Sequence, residues 1–183
     1  MRSILTAIAL ALVFVLPIGA SAAAPATAKD VLKSASKEAA SSHKNVLVIF
    51  HASWCSWCHK LEDALKDPAF GDPIRQNFVI VTIDVLEQPK QKAQLENPGG
   101  AKLLTKWKGD KSGIPFYVML DPHGKVLGNS NVMPKGHNIG YPGAPGEISA
   151  FVQLLQKTAP HLSQDQATQL SDWLTAHKPA AGA

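Results

Sequence analysis

The sequence predicts an α/β protein in which helices are layered on a mixed β-sheet. Three observations carry this. Short, branched apolar runs alternate with stretches of helical period. A turn signal, Asp121-Pro122-His123-Gly124, lies between two strand-like runs. The C-terminal part holds two amphipathic helical patterns and no strand. Each apolar face in such an order is buried by packing one layer on the next.

The elements follow in order. Residues 28–41 space Val31, Ala35 and Ala39 four apart, as one face of a helix requires. Val46–Phe50 is a continuous branched run, the pattern of a strand covered on both faces. After Trp54-Cys55-Ser56-Trp57-Cys58-His59, helical spacing resumes at Leu61, Ala64 and Leu65. Asp67-Pro68 reads as a cap and first-turn proline of a further short helix. Phe78–Ile83 is expected to be a second buried strand, 87–100 a loop, and Ala101–Trp107 a short helix. Pro115–Leu120 is a third strand, and Lys125–Leu127 returns as a hairpin. Residues 128–146, rich in Gly and Pro, form a long irregular connection. Ile148, Phe151, Leu154 and Leu155 mark one helix. Ala167, Leu170, Trp173 and Leu174 mark the last, opened by a capping box of Ser163 and Gln166.

Residues 1–22 have the form of a secretory signal peptide. Arg2 supplies the positive region, Ile4–Leu16 the apolar run, and Ala20-Ser21-Ala22 the small-residue cleavage site. A periplasmic or secreted protein is expected, cleaved near Ala22. The net charge of +4 becomes +3 without Arg2, and the basic residues are scattered. A nucleic-acid surface is therefore not expected. Nor is a later membrane span, and a monomer is the expectation.

The two cysteines, three positions apart, are informative in an exported chain. A bridge closing so small a loop removes little unfolded-state entropy, so it is a poor staple. Such a pair points to chemistry. A strand leading into C-x-x-C, with a helix behind it, places Cys55 at a helix N-terminus, where unpaired N–H groups favour the thiolate. Cys55 is expected to be the exposed attacking sulfur and Cys58, one turn later, the resolving one.

The segment Phe50-His51-Ala52-Ser53-Trp54-Cys55-Ser56-Trp57-Cys58-His59-Lys60-Leu61 resembles the active-site region of exported members of the thioredoxin superfamily. Gly113-Ile114-Pro115-Phe116 resembles the family's loop before its third strand. The resemblance implies a three-layer thioredoxin-like sandwich over 28–158, with 159–183 as an extra C-terminal helix and tail. It implies Pro115 as a cis-proline shaping the substrate groove beside Cys55 and Cys58, and Ile114 as its substrate-facing neighbour. Trp57 is read as apolar docking surface and Trp54 as scaffold. Thiol–disulfide exchange on protein disulfides is implied, with no cofactor beyond the cysteine pair. The reductase direction is favoured, with a membrane thiol relay as electron donor.

Two features depart from the family. Ile49 stands six residues before Cys55, where a buried acid often handles the resolving thiol's proton. His59 and Glu62 are the proton-transfer candidates in its place. The pair Ser56-Trp57 differs from the commonest family dipeptides.

Three rival readings share these residues. Cys55-Ser56-Trp57-Cys58-His59 also spells c-type haem attachment, with His59 proximal and Met133 or Met119 distal. The strand before the motif and the strands after it oppose a small helical cytochrome. His51, Cys55, Cys58 and His59 could offer four ligands to zinc or copper, but their spacing is tight for one tetrahedron, and no metal is assigned. The third is a non-catalytic binding module of the same fold. Tyr141, in Gly140-Tyr141-Pro142, is read as closing a turn, and the remaining histidines as solvated surface groups.

Overall fold

Alternation along one strand sets the layers. In the computed structural model, which describes residues 24–179, strand β1 (Asn45–His51) turns Val46, Val48 and Phe50 to one face and Leu47 and Ile49 to the other. Both faces are covered, as its unbroken apolar run requires. The segment read as a signal peptide lies outside the described residues.

The sheet has the order β2-β1-β3-β4. β2 (Phe78–Asp84) runs parallel to β1. β3 (Phe116–Leu120) and β4 (Val126–Asn129) are antiparallel to their neighbours. Helix α1 (Ala28–Ser42) and the short α5 (Gly100–Lys106) cover one face through Ala35, Ala39 and Leu104. On the other face lie α2 (Ser56–Lys66), α3 (Pro68–Asn77), α6 (Pro145–Thr158) and α7 (Gln164–Ala176). The architecture is thus the expected α/β sandwich with a mixed central sheet and C-terminal helices.

Local chemistry explains the boundaries. Asp67 caps α3 by accepting from the Ala69 N–H at 2.8 Å, and Pro68 occupies the first turn. Asp121 closes the hairpin by accepting from the N–H groups of His123 and Lys125, and Gly124 takes the positive φ of +84° that the turn needs. Ser163 and Gln166 form the expected reciprocal capping box at α7.

Three expectations are corrected. β2 is an edge strand, so Ile80, Val81 and Thr82 are only half-buried. An apolar run does not reveal which strand ends the sheet. The 87–100 connection contains one helical turn, α4 (Lys92–Leu95). Its four residues bury nothing, and so leave no apolar period to read. Pro115 lies just before β3 rather than in it. The 128–146 connection is ordered by a short 3-10 turn at Pro134–Gly136 and by a bridge between Met133 and His137.

Candidate active site

β1 ends at His51 and the chain turns directly into α2, so both cysteines sit where strand and helix meet. Cys55 is the N-cap of α2, and its carbonyl accepts from the N–H groups of Cys58 and His59 at 3.1 Å. Its Sγ accepts from the Cys58 N–H at 3.2 Å. A sulfur therefore occupies the place a serine or aspartate oxygen usually takes at a helix start. Cys55 and Cys58 are joined as a disulfide with Cα atoms 5.2 Å apart. Cys58 is fully buried and Cys55 is 4% exposed. The expectation of an exposed Cys55 is corrected in degree: Cys55 has a narrow opening and Cys58 has none. Ala52, Trp57 and Ile114 pack around the pair and close the remainder.

Ile114–Pro115 is a cis peptide bond. The Ile114 carbonyl oxygen lies 3.6 Å from Cys55 Sγ. The loop is held from behind by Asn138, whose side-chain N–H₂ donates to the carbonyls of Pro115 at 2.9 Å, Ser112 at 3.2 Å and Gly113 at 3.3 Å. Its Oδ1 accepts from the Gly140 N–H. One amide thus fastens the 128–146 connection to the loop beside the sulfurs.

The loop after β2 fastens the other side. Glu87 is 7% exposed, and its two oxygens accept from the Ser53 N–H at 2.6 Å and the Ser53 hydroxyl at 2.7 Å. Trp54 donates its indole N–H to the Leu86 carbonyl at 2.8 Å. Trp54 is also 51% exposed, so it is both anchor and surface, beyond the scaffold role expected of it.

Trp57 is half-buried and lines a groove of about 450 Å³ that runs past Ile114 and Pro115 to residues 138–141, Gly143, Ala144 and Glu147. That volume suits an extended peptide segment or a small ligand. Tyr141 also lines it, with its ring centroid 6.1 Å from that of Trp57, and the Lys60 ammonium sits over both rings. Tyr141 is thus part of the groove wall, beyond closing a turn.

Near the end of β1 the polar groups converge without touching sulfur. His59 Nε2 lies 2.8 Å from the Ser53 carbonyl oxygen, and its Nδ1 lies 3.5 Å from Glu62 Oε2. Both ring nitrogens are therefore directed at oxygen. Glu62 Oε1 faces His51 Nε2 at 3.6 Å. His51 is 8% exposed and its Nδ1 lies 2.8 Å from Asp84 Oδ1. That hydrogen bond raises the His51 pKa above the ordinary imidazole value against the opposing effect of burial, and the charges of Glu62, Asp84 and Glu87 add to the rise. Ile49 is buried in the core beneath α2, so β1 supplies no acid to the pair.

Over residues 27–122, just over half of its length, the chain matches the thioredoxin-like family. The protein belongs to the thioredoxin-like family. Among solved structures it is similar to a disulphide isomerase from Xylella fastidiosa Temecula1, at 25% identity and TM-score 0.46, covering 66% of this chain and 80% of that one. A DsbH oxidoreductase matches at 22% identity and TM-score 0.43, over 81% of this chain and 95% of that one. The DsbD C-terminal domain of Neisseria meningitidis in the oxidised form matches at 22% identity and TM-score 0.40, over 57% and 84%. With its Cys55–Cys58 disulfide at a helix start, this thioredoxin-like protein is a thiol–disulfide oxidoreductase.

Four residues of this thioredoxin-like site were not singled out from the sequence. Glu87, Asn138, Lys60 and Glu147 reach it from separate elements or loops. Asn138 sits among Gly and Pro, and Glu87 between two half-polar loops, so neither carries a periodic signal. Only the family motif and the positions of Ile114 and Pro115 point at the site from within the sequence.

Proposed function

We propose that the protein is an exported dithiol–disulfide oxidoreductase that reduces disulfides of protein substrates. The observation that carries this is the Cys55–Cys58 disulfide beside the Ile114 carbonyl, packed against Trp57 and Ile114, which also line the adjoining groove. In the reduced enzyme, the Cys55 thiolate attacks one sulfur of a substrate disulfide. That S–S bond breaks, a mixed disulfide forms, and one substrate thiolate leaves. Cys58 loses its proton and attacks Cys55 Sγ, which releases the second substrate thiol and forms the Cys55–Cys58 bridge. Two electrons have passed to the substrate. A dithiol donor, proposed as a membrane thiol relay, restores the reduced pair.

Pro115 and Ile114 border the attacked sulfur and are proposed to align the substrate backbone. Trp57 is proposed to supply the apolar contact. His59 and Glu62 stay in the proposal as second-line proton acceptors reached through solvent, because their polar atoms face oxygen partners. Geometry favours exchange over haem attachment. The two thiols are consumed in one bridge, His59 Nε2 is taken by Ser53, and Met119 is fully buried in the sheet.

The test is insulin-disulfide reduction with a dithiol donor. Cys55→Ser is expected to abolish turnover, and Cys58→Ser to accumulate mixed disulfides visible on non-reducing gels. Unchanged turnover in Cys55→Ser rejects the proposal. A trapped protein set that survives loss of both thiols favours a binding module instead. Export and direction are read from the same cells. Support is a mature N-terminus near Ala22 on protein recovered outside the cytoplasm, with the cysteine pair reduced at steady state.

A further inference from the structure

We propose that His51, His59 and Glu62 form a binding site for a divalent cation of the zinc class, distinct from the cysteine pair. The metal reading of the sequence combined both histidines with both cysteines. The disulfide removes the sulfurs as ligands, and the fold supplies Glu62 in their place.

The geometry is that of a half-assembled tetrahedron. One ligand atom from each of the three residues lies within 4.8 Å of the others. Glu62 lies 3.6 Å from His51 Nε2 through one oxygen and 3.5 Å from His59 Nδ1 through the other. Zinc bonds to nitrogen and oxygen are about 2.0–2.2 Å, which puts neighbouring ligands of a tetrahedron about 3.4 Å apart. Each histidine thus meets its own carboxylate oxygen at nearly that spacing, and with one oxygen shared the three ligand atoms, within 4.8 Å of one another, close on an ion by rotation of the Glu62 carboxylate and the half-exposed His59. Three protein ligands leave a fourth position for water or substrate, open to solvent on the His59 side.

Two independent observations point to a ligand here. His51 Nε2 is buried and has no hydrogen-bond partner. Glu62 is too far from it for a hydrogen bond, and an unpaired buried nitrogen is costly unless something meets it. Each imidazole also has its other nitrogen already engaged. His51 Nδ1 is held by the Asp84 carboxylate at 2.8 Å, and His59 Nε2 by the Ser53 carbonyl at 2.8 Å. Metal-bound histidines are oriented in this way, by a carboxylate or backbone carbonyl on the far nitrogen, which turns the free lone pair to the ion. In the neutral rings both far nitrogens donate, so both lone pairs face Glu62. Two imidazoles and one carboxylate are a borderline donor set, suited to zinc rather than to calcium or magnesium. The cation would tie the end of β1 to the first turns of α2, the two elements that carry the cysteines.

The experiment uses the untagged full chain in its disulfide form, and in parallel the Cys55→Ser/Cys58→Ser double variant, at about pH 8, where ordinary imidazoles are neutral. Co²⁺ is the absorbing probe and Zn²⁺ the competitor, followed by visible absorption and calorimetry. The expected result is saturable binding of one ion per chain, displaced by Zn²⁺ and equal in both proteins. His59→Ala and Glu62→Gln, both at solvent-accessible positions, are each expected to weaken binding at least tenfold, on the order of the loss seen when a supporting group of a metal site is removed. Asp84→Asn is expected to weaken it about 10–100-fold without supplying or removing a ligand. No saturable binding in the disulfide form, equal binding by His59→Ala and Glu62→Gln, or binding only when the thiols are free would each overturn the site. Because the double variant has no thiols, this outcome is independent of the insulin assay.

Discussion

One carboxylate satisfies both the N–H and the hydroxyl of Ser53. Glu87 accepts from the N–H at 2.6 Å and from the hydroxyl at 2.7 Å. The bonds are short and half-buried, with the Glu87 carboxylate buried and Ser53 at the surface. Glu87→Ala is expected to destabilise the fold by about 1–3 kcal/mol, the net worth of hydrogen bonds to a charged acceptor. Urea unfolding checks it, as a lower midpoint at unchanged slope. Asn138 acts similarly on the opposite side, with one amide spread over three carbonyls of the Pro115 loop. The residues that hold the site are thus polar, single and distant in sequence. Ile49 shows the converse: its place before Cys55 was readable directly, and it is buried against α2 as an ordinary core side chain.

At the scale of elements, helix starts decide most of the local structure. α2 begins on a cysteine that caps the helix it will use in chemistry. α7 begins on Ser163, whose hydroxyl accepts from the Gln166 N–H while Gln166 Oε1 accepts from the Ser163 N–H. Ser163→Ala removes one half of this reciprocal pair. A loss of about 1 kcal/mol is expected, measured by thermal or urea unfolding, and Ser163→Asp should restore most of it. The helices and strands with a periodic apolar face, such as α1 and α6, were legible from spacing alone. α4 was not, because a helix of four residues with no buried face has no period. β2 was legible as a strand but not as an edge, since a run of branched residues is the same in either place.

For the whole molecule, the sheet separates two cores. One lies under α1 and α5, the other under α2, α3, α6 and α7. Helix α7 shares the second core: Leu170 and Leu174 are fully buried in it, and Trp173 lies 4.8 Å, ring to ring, from Phe70 of α3. Leu170→Ala should therefore cost about 2–5 kcal/mol, as for other large-to-small core changes. It should lower the unfolding midpoint of the entire protein rather than release α7 alone. Coincident shifts of near- and far-ultraviolet circular dichroism measure this, whereas an early far-ultraviolet loss confined to one helix would contradict it. The 128–146 connection belongs to this scale too, because it brings Asn138 and Tyr141 to a groove whose other walls come from α2 and the Pro115 loop.

By itself the sequence determined the order of the main elements, the two sulfurs and the loop beside them. Those features are local: a period, a cap, a turn or a short motif contains its own physical cause. The tertiary structure alone decided what meets the motif from far along the chain. It put Glu87 on Ser53 and Asn138 behind Pro115. Such convergence depends on how β1, β2 and α2 pack. It leaves no trace in spacing, because solitary polar residues at element ends have no period to reveal their direction.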